Sequence, residues 1–377
     1  MMLSDEQSLI RDTARAFARE RLLPGAAARD LSGEIEPAIL REMGELGFLG
    51  MTIDPDLGGA GTDYVSYALA LMEIAAGDGA ISTVMSVHNA PFNAILDRFG
   101  SAEQKETVLR PAAAGEFIGA FALTEAQAGS DASALSSAAR RTNDGYVIEG
   151  TKEFITSGKI GRYVIVFARM AGTQGKAGIT AFLAPTDTPG YQVARVEEKL
   201  GQRASDTCAL RFEAMELPDS ARIGDEGAGY RIALASLETG RIGIAAQSVG
   251  MAQAALDMAL AHARERKSFG VTLMGHQGVA FRLAELATEL EAARQLVLHA
   301  ARMKDAGVPC LTEAAMAKLY ASEAAERVVS GALQCFGGYG YMRETGIERI
   351  YRDVRVCQIY EGTSDIQKLI IARGLAG

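Results

Sequence analysis

Apolar and polar positions change period twice along the chain. Up to about residue 119 they follow the helical repeat. Ile10, Ala14 and Phe17 share one face after Ser4-Asp5-Glu6-Gln7, a capping box whose serine and glutamine satisfy free amides reciprocally. A second box, Ser101 to Gln104, follows Gly100, which closes the helix before it. DPDLGGAGTDY (Asp54 to Tyr64) reads as a turn-rich loop. Beyond 119 come short β-rich runs: GYVIEGTKEFITS, RYVIVFARM, GITAFLAPT, YQVARVEEKL and CALRFEAMEL. Turn signals at Asp144-Gly145, Gly172 to Gly178 and Pro189-Gly190 separate them, which predicts a small antiparallel β domain. From about 226 the helical period returns. Leu283, Leu286, Leu290, Ala293 and Val297 form one stripe. Gly307-Val308-Pro309 interrupts it, and Met316, Leu319, Tyr320, Ala324 and Val328 form the next. Long helices with short breaks predict an antiparallel bundle. The domains expected are 1–119 (helical), 120–225 (β) and 226–377 (helical). Without βαβ alternation, a doubly wound sheet is not expected.

Length and composition narrow the class. A chain of 377 residues suits two or three domains. Its apolar share of 48% is that of a soluble globular protein. Acids outnumber bases 47 to 38, giving a net charge of −9, which disfavours nucleic acid as a partner. No stretch has the length and apolarity of a membrane span, and the N-terminus lacks the apolar region of a signal peptide. Cys208, Cys310, Cys335 and Cys357 fit neither a zinc pattern nor a disulfide framework. Free thiols in a reducing compartment, the cytoplasm, are the expectation.

Common catalytic signatures are missing. There is no phosphate-binding P-loop, and FGGYGYMRETG (Phe336 to Gly346) follows a helix, so it is no dinucleotide fingerprint. His88, His262, His276 and His299 form no metal set; His276 stands out only because it precedes Gln277 at a helix start. No nucleophile elbow appears. Three other stretches have chemical potential. FALTEAQAGSD (Phe121 to Asp131) lies where helix gives way to strand, and its small residues suit either amides approaching a flat ligand or a plain interdomain loop. ARERKSFG (Ala263 to Gly270) places cations at a helix end, where they complement the dipole or hold a phosphate. IYEGTSDIQ (Ile359 to Gln367) sets Glu361 between apolar neighbours and a helix start. Burial raises a carboxyl pKa towards that of a usable base, while the helix N-terminus opposes the rise. Gly362 permits close approach of a ligand, and Thr363 and Ser364 open the helix.

Taken together, FALTEAQAGSD, KEFITSG, KLGQRASDT, ERKSFG with Gln277, QCFGGYGY and IYEGTSDIQ resemble the acyl-CoA dehydrogenase family over essentially the whole chain. LETGRIGIAAQSVG, EAAMAKLYASEAA and YRDVRVCQIYEGTSDIQ are most similar to its short-chain, butyryl-type branch. The resemblance implies a mainly α fold with an N-terminal helical domain, a middle antiparallel β-barrel-like domain and a C-terminal four-helix bundle. It also implies FAD, an acyl-CoA substrate, an electron-transfer flavoprotein as acceptor and a homotetramer. By resemblance, Phe121, Ala122, Leu123, Thr124, Gly129 and Ser130 line the flavin, and Phe154, Ile155 and Thr156 cover its other face. Arg266, Phe269, Gln277 and Gln334, Cys335, Phe336, Gly337 and Gly338 hold the pyrophosphate and adenosine across a subunit boundary, and Thr363, Ser364 and Asp365 continue that site. Ser130, Glu238, Arg241, Tyr360 and Gly362 meet the substrate.

The implied reaction is α,β-dehydrogenation, with Glu361 taking the α-proton. One branch of the family carries its base at the position of Gly240, so here the base is Glu361. Two departures are visible: Ala126-Gln127 replaces the usual Pro-Gly, and Phe154 stands where Trp is frequent. The alternatives on this fold are a flavin monooxygenase and a non-catalytic acyl-CoA-binding protein.

Overall fold

The computed structural model describes residues 3–376. Helix Asp5–Phe17 starts in the expected box: Gln7 N–H donates to Ser4 Oγ and Ser4 N–H to Gln7 Oε1, both at 3.1 Å. Ala14 and Phe17 point into the core, with Ile10 packed against its edge. Helix Tyr64–Gly77 is buried nearly all round because it lies between Asp5–Phe17 and the 37-residue helix Gly229–Glu265. Helix Gly79–Val87 follows after Asp78, whose carboxylate accepts from Ala80 N–H at 2.9 Å and from Arg29 Nε at 2.8 Å.

The middle of the chain forms eight strands: β1 (Gly119–Ala122), β2 (Ala138–Arg141), β3 (Gly145–Thr156), β4 (Tyr163–Met170), β5 (Ile179–Pro185), β6 (Tyr191–Val196), β7 (Thr207–Pro218) and β8 (Arg222–Ile223). Their order is β6-β7-β3-β2-β4-β5-β8, with β1 also on β4. Two expectations need correction. The sheet is open rather than barrel-like, since β6 and β8 end it without pairing to each other. It is also mixed: β1 and β2 both run parallel to β4. They share one edge of that strand in succession, β1 beside Tyr163–Val166 and β2 beside Arg169 and Met170. Residues 123–137 must therefore leave the sheet as a loop.

Three long helices, Gly229–Glu265, Gln277–Asp305 and Leu311–Cys335, form the C-terminal bundle, and the shorter Ser364–Ala376 packs on the third. The predicted stripe from Leu283 to Val297 is buried throughout. In Leu311–Cys335 the buried face is rotated from the expected one. It carries Ala314, Ala317, Lys318, Ala321, Ala324 and Val328, while Met316, Leu319 and Tyr320 are half-buried. Alanines let this helix approach Gly229–Glu265 closely, which displaces the larger residues to the side. All four cysteines are free and buried. No helix among the described residues is long and apolar enough to cross a membrane.

Candidate active site

Glu361 sits in a strained turn between helix Ile347–Val354 and helix Ser364–Ala376. Its φ is 53° and that of Gly362 is 88°, two consecutive left-handed residues. For the glutamate this costs about 1 kcal/mol. Side chains from two helices hold the turn. Gln367 Nε2 donates to Glu361 O at 3.1 Å and to Gly362 O at 2.8 Å, and Lys318 Nζ donates to Gly362 O at 2.7 Å. Thr363 Oγ1 meets Ile366 N–H at 3.4 Å at the helix start. Glu361 N–H has no acceptor among the described residues.

The carboxylate of Glu361 folds back over helix Gly229–Glu265. A β-carbon added to Gly240 would lie 2.8 Å from Oε2, so the glycine makes room for the acid. Oε2 is buried with no hydrogen-bond partner. Burial raises the carboxyl above its usual range; Arg241 and Lys318 pull it down but do not outweigh desolvation. Both cations are themselves buried, and burial brings Lys318 down to about 8. One helical turn beyond Gly240, Gly243 opens space where the hydroxyls of Tyr67 and Ser86 converge, 2.9 and 2.6 Å from where a β-carbon would be.

Other predicted substrate residues divide. Arg241 lies beside Glu361, its Nε buried without a partner. Glu238, three residues earlier, is taken up by an ion pair with Lys304 at 2.8 Å. The hydroxyl of Tyr360 is occupied: it donates to Gln247 Oε1 and accepts from Gln202 Nε2 at 3.3 Å, which leaves only its ring for a ligand.

The 123–137 loop carries Thr124, Gly129 and Ser130 at its surface, and nothing lies within 4 Å of where a β-carbon on Gly129 would be. Ala122 and Leu123 turn their side chains into the core, so they offer only backbone. Glu125 pins the loop from beneath. Its carboxylate accepts from Lys152 Nζ (2.8 Å), Ser136 N–H (2.6 Å), Ser136 Oγ (2.8 Å), Ser137 N–H (3.0 Å) and Gln127 Nε2 (2.8 Å). Burial opposes its charge, yet Lys152 and these donors together hold the carboxyl at about 2. Gln127, a departure from the family pattern, also reaches Ser136 Oγ at 2.9 Å, so it braces the loop. A bulge in β3 opposite β7 puts Phe154 at φ 60° with its ring 65% exposed, while Ile155 turns inward. Glu153 N–H donates to Thr124 O at 2.9 Å, which ties the bulge to the loop.

A second group gathers elsewhere. Lys267–Ser268 and Val271–Thr272 form a two-stranded ribbon with Phe269 (φ 50°) and Gly270 (φ 83°) as its turn, and Phe269 is 97% exposed. The guanidinium of Arg266 lies 6.0 Å above the Tyr339 ring, and Phe336 stacks on His262 at 4.3 Å. Gln277, Gln334, Gly337 and Gly338 are exposed, and Cys335 is buried. His276 bonds Ser268 O at 3.0 Å, which makes it the brace between ribbon and helix. Among the described residues no hydrogen bond, ion pair or ring contact links this patch to Glu361, Thr363 or Ser364.

Sequence profiles of the acyl-CoA dehydrogenase N-terminal, middle and C-terminal domains match residues 4–116, 120–215 and 227–376. The chain belongs to the acyl-CoA dehydrogenase family. It is 44% identical over 370 residues to the mitochondrial short-chain specific acyl-CoA dehydrogenase of Bos taurus, spanning 98% of this chain and 90% of that one. Its structure matches butyryl-CoA dehydrogenase from Megasphaera elsdenii with a TM-score of 0.98 at 38% identity, covering 100% of both chains. It matches equally, at 39% identity, 100% of this chain and 99% of the other, a chain solved in work on the electron transferring flavoprotein of Acidaminococcus fermentans and flavin-based electron bifurcation.

The dehydrogenase is thus an oxidoreductase that uses FAD. Its residues fit that cofactor. The loop surface at Gly129 and Ser130 is open, and the Phe154 ring stands free beside it. Ser364 Oγ, at the first turn of the last helix, and Ser157 Oγ, just after the β3 bulge, are both buried without partners. Lys318, Gln367, Gln247 and Tyr67 are the site residues that sequence reasoning missed. Only a lysine on the buried face of its helix could have flagged one of them.

Proposed function

We propose that this enzyme forms the α,β double bond of a short-chain acyl-CoA, with Glu361 as the base that removes the α-proton. The observation that carries this reading is the Glu361 carboxylate, whose Oε2 is buried without a partner against Gly240. Desolvation makes it more basic than an ordinary carboxylate, which suits a weak carbon acid. The free Glu361 N–H is available to the thioester oxygen as negative charge gathers there. Bound FAD would supply the hydride acceptor for the β-hydrogen. Thr124, Ser130 and the amides of the 123–137 loop would hold one side of the flavin, Phe154 to Thr156 the other, and Thr363, Ser364 and Asp365 the chain beyond it. Tyr360 would wall the acyl pocket with its ring.

The short-chain preference is supported by the names of the bovine and Megasphaera relatives. An electron-transfer flavoprotein as acceptor is supported by the likeness to the Acidaminococcus chain. The exposed Arg266, Phe269, Gln277, Gln334, Gly337 and Gly338 patch, separate from Glu361, supports a homotetramer in which one subunit completes its neighbour's cofactor site. The test is Glu361→Gln with butyryl-CoA under anaerobic conditions. It should keep FAD and lose substrate-induced bleaching; bleaching at the wild-type rate would remove Glu361 as the base.

A further inference from the structure

Lys318 is fully buried on helix Leu311–Cys335, and no carboxylate lies within ion-pair distance of it among the described residues. Its one hydrogen bond goes to the Gly362 carbonyl, the far end of the left-handed turn that carries Glu361. A buried ammonium without a paired acid is costly, and its further titrating neighbours are Glu323 on its own helix and Cys357 and Arg241 around it. Glu361 is the anion it faces. From the other elements packed on that carboxylate come Arg241 on Gly229–Glu265 and Tyr67 on Tyr64–Gly77; Arg241 is likewise buried with no ion pair. Two cations without ion pairs thus act on one carboxylate, but only Lys318 also grips the backbone on which the acid is mounted.

We propose that Lys318 is the positioning residue of the base: its N–H fixes the Gly362 carbonyl so that the turn aims Glu361 at Gly240, and its charge keeps the buried carboxylate ionised. The proposal rests on Glu361 being the base. The reasoning is geometric. A turn with two positive φ angles holds its shape only where surrounding groups over-determine it. Here Gln367 supplies neutral donors and Lys318 the charged one. An opposite charge several ångströms away favours the ionised acid. When the α-proton arrives on Glu361, Lys318 loses its counter-charge, so the same contact keeps the base ready and limits its strength.

The test compares FAD-loaded Lys318→Met, Lys318→Arg and Gln367→Met enzymes by the pH profile of kcat/KM with butyryl-CoA. K318M should shift the acid limb upward by about one pH unit, because the charge favouring the carboxylate is gone. Its kcat should fall roughly tenfold as the turn loosens. K318R keeps the charge and should keep the limb in place while lowering kcat. Q367M removes a neutral donor from the same carbonyl and should lower kcat without moving the limb. A K318M limb identical to wild type would overturn the proposal. Should K318M fail to take up FAD, the other two still decide: a limb shift in K318R, or one of about a unit in Q367M, would assign the pH effect to something other than the Lys318 charge. Failure of the base assignment reads differently, as persistent bleaching in E361Q whatever the Lys318 variants do.

Discussion

A β-carbon at Gly240 and the Oε2 atom of Glu361 cannot share their present positions, since only 2.8 Å would separate them. Gly240 is buried within helix Gly229–Glu265, so the carboxylate is the group that must move. Gly240→Ala should therefore cut kcat by about tenfold to a hundredfold, the usual cost of misplacing a reacting group by an ångström. FAD content and melting temperature should stay near wild type. Anaerobic stopped-flow reduction by butyryl-CoA reads the difference; an unchanged rate would mean that the turn relaxes freely.

Glu125 predicts an acid-side stability signature. Its carboxyl is near 2 when folded against 4.5 for the free group. A depressed acid stabilises the fold fully above its unfolded pKa and loses that contribution as pH falls through the folded one, here from about 4.5 to about 2. Glu125→Gln leaves Lys152 buried without a counter-ion and should cost about 3–5 kcal/mol near neutral pH. Urea unfolding should show that gap narrowing through the acid window as the wild type protonates.

Asp353 predicts the opposite slope. It is buried, accepts from Gln202 N–H, and is raised from 3.8 to about 7, first by burial and then by nearby Asp78 against the pull of that hydrogen bond. A raised acid favours the fold below its unfolded pKa, and that advantage is lost as pH climbs to about 7. Asp353→Asn keeps an acceptor for Gln202 and has no proton to lose. It should melt with the wild type near pH 4 and about 1–3 °C above it near pH 8, roughly the shift that 1–2 kcal/mol produces in a chain of this length.

Gln127 should matter to cofactor retention. Gln127→Ala deletes the bonds to Glu125 and Ser136 that brace the 123–137 loop, proposed above to hold one side of the flavin. At about 1 kcal/mol net, FAD release should quicken by about fivefold with no change in the acid limb of activity. Flavin fluorescence on dilution measures it.

Much of the scaffold was legible in the sequence, for physical reasons that also mark where legibility ended. The capping boxes at Ser4 and Ser101 and the Leu283–Val297 stripe are local signals, and each appears as read. The pairing of β1 and β2 with β4 is not local; strand runs and turns say nothing about which edge a chain takes, so the parallel ladders and the open sheet were missed. Glu361 stood out because an acid, a glycine and two hydroxyls meet at a helix start. Lys318 did not, because a lysine in an alanine-rich helix ordinarily faces water, and only the packing of three helices puts it inside. Gln127 stood out only as a departure from the usual Pro-Gly; its gain is a pair of side-chain bonds that a pattern of residue types does not display.

The shared edge of β4 separates two properties that loops usually tie together. Ala122 faces Val166 and Ala138 faces Arg169, so the two feet of the 123–137 loop stand only three residues apart on one strand, about 10 Å. Whatever lies between can lengthen, shorten or change composition while its points of departure and return stay where the sheet holds them. Evolution could thus retune the surface this loop presents without reopening the question of how the sheet folds.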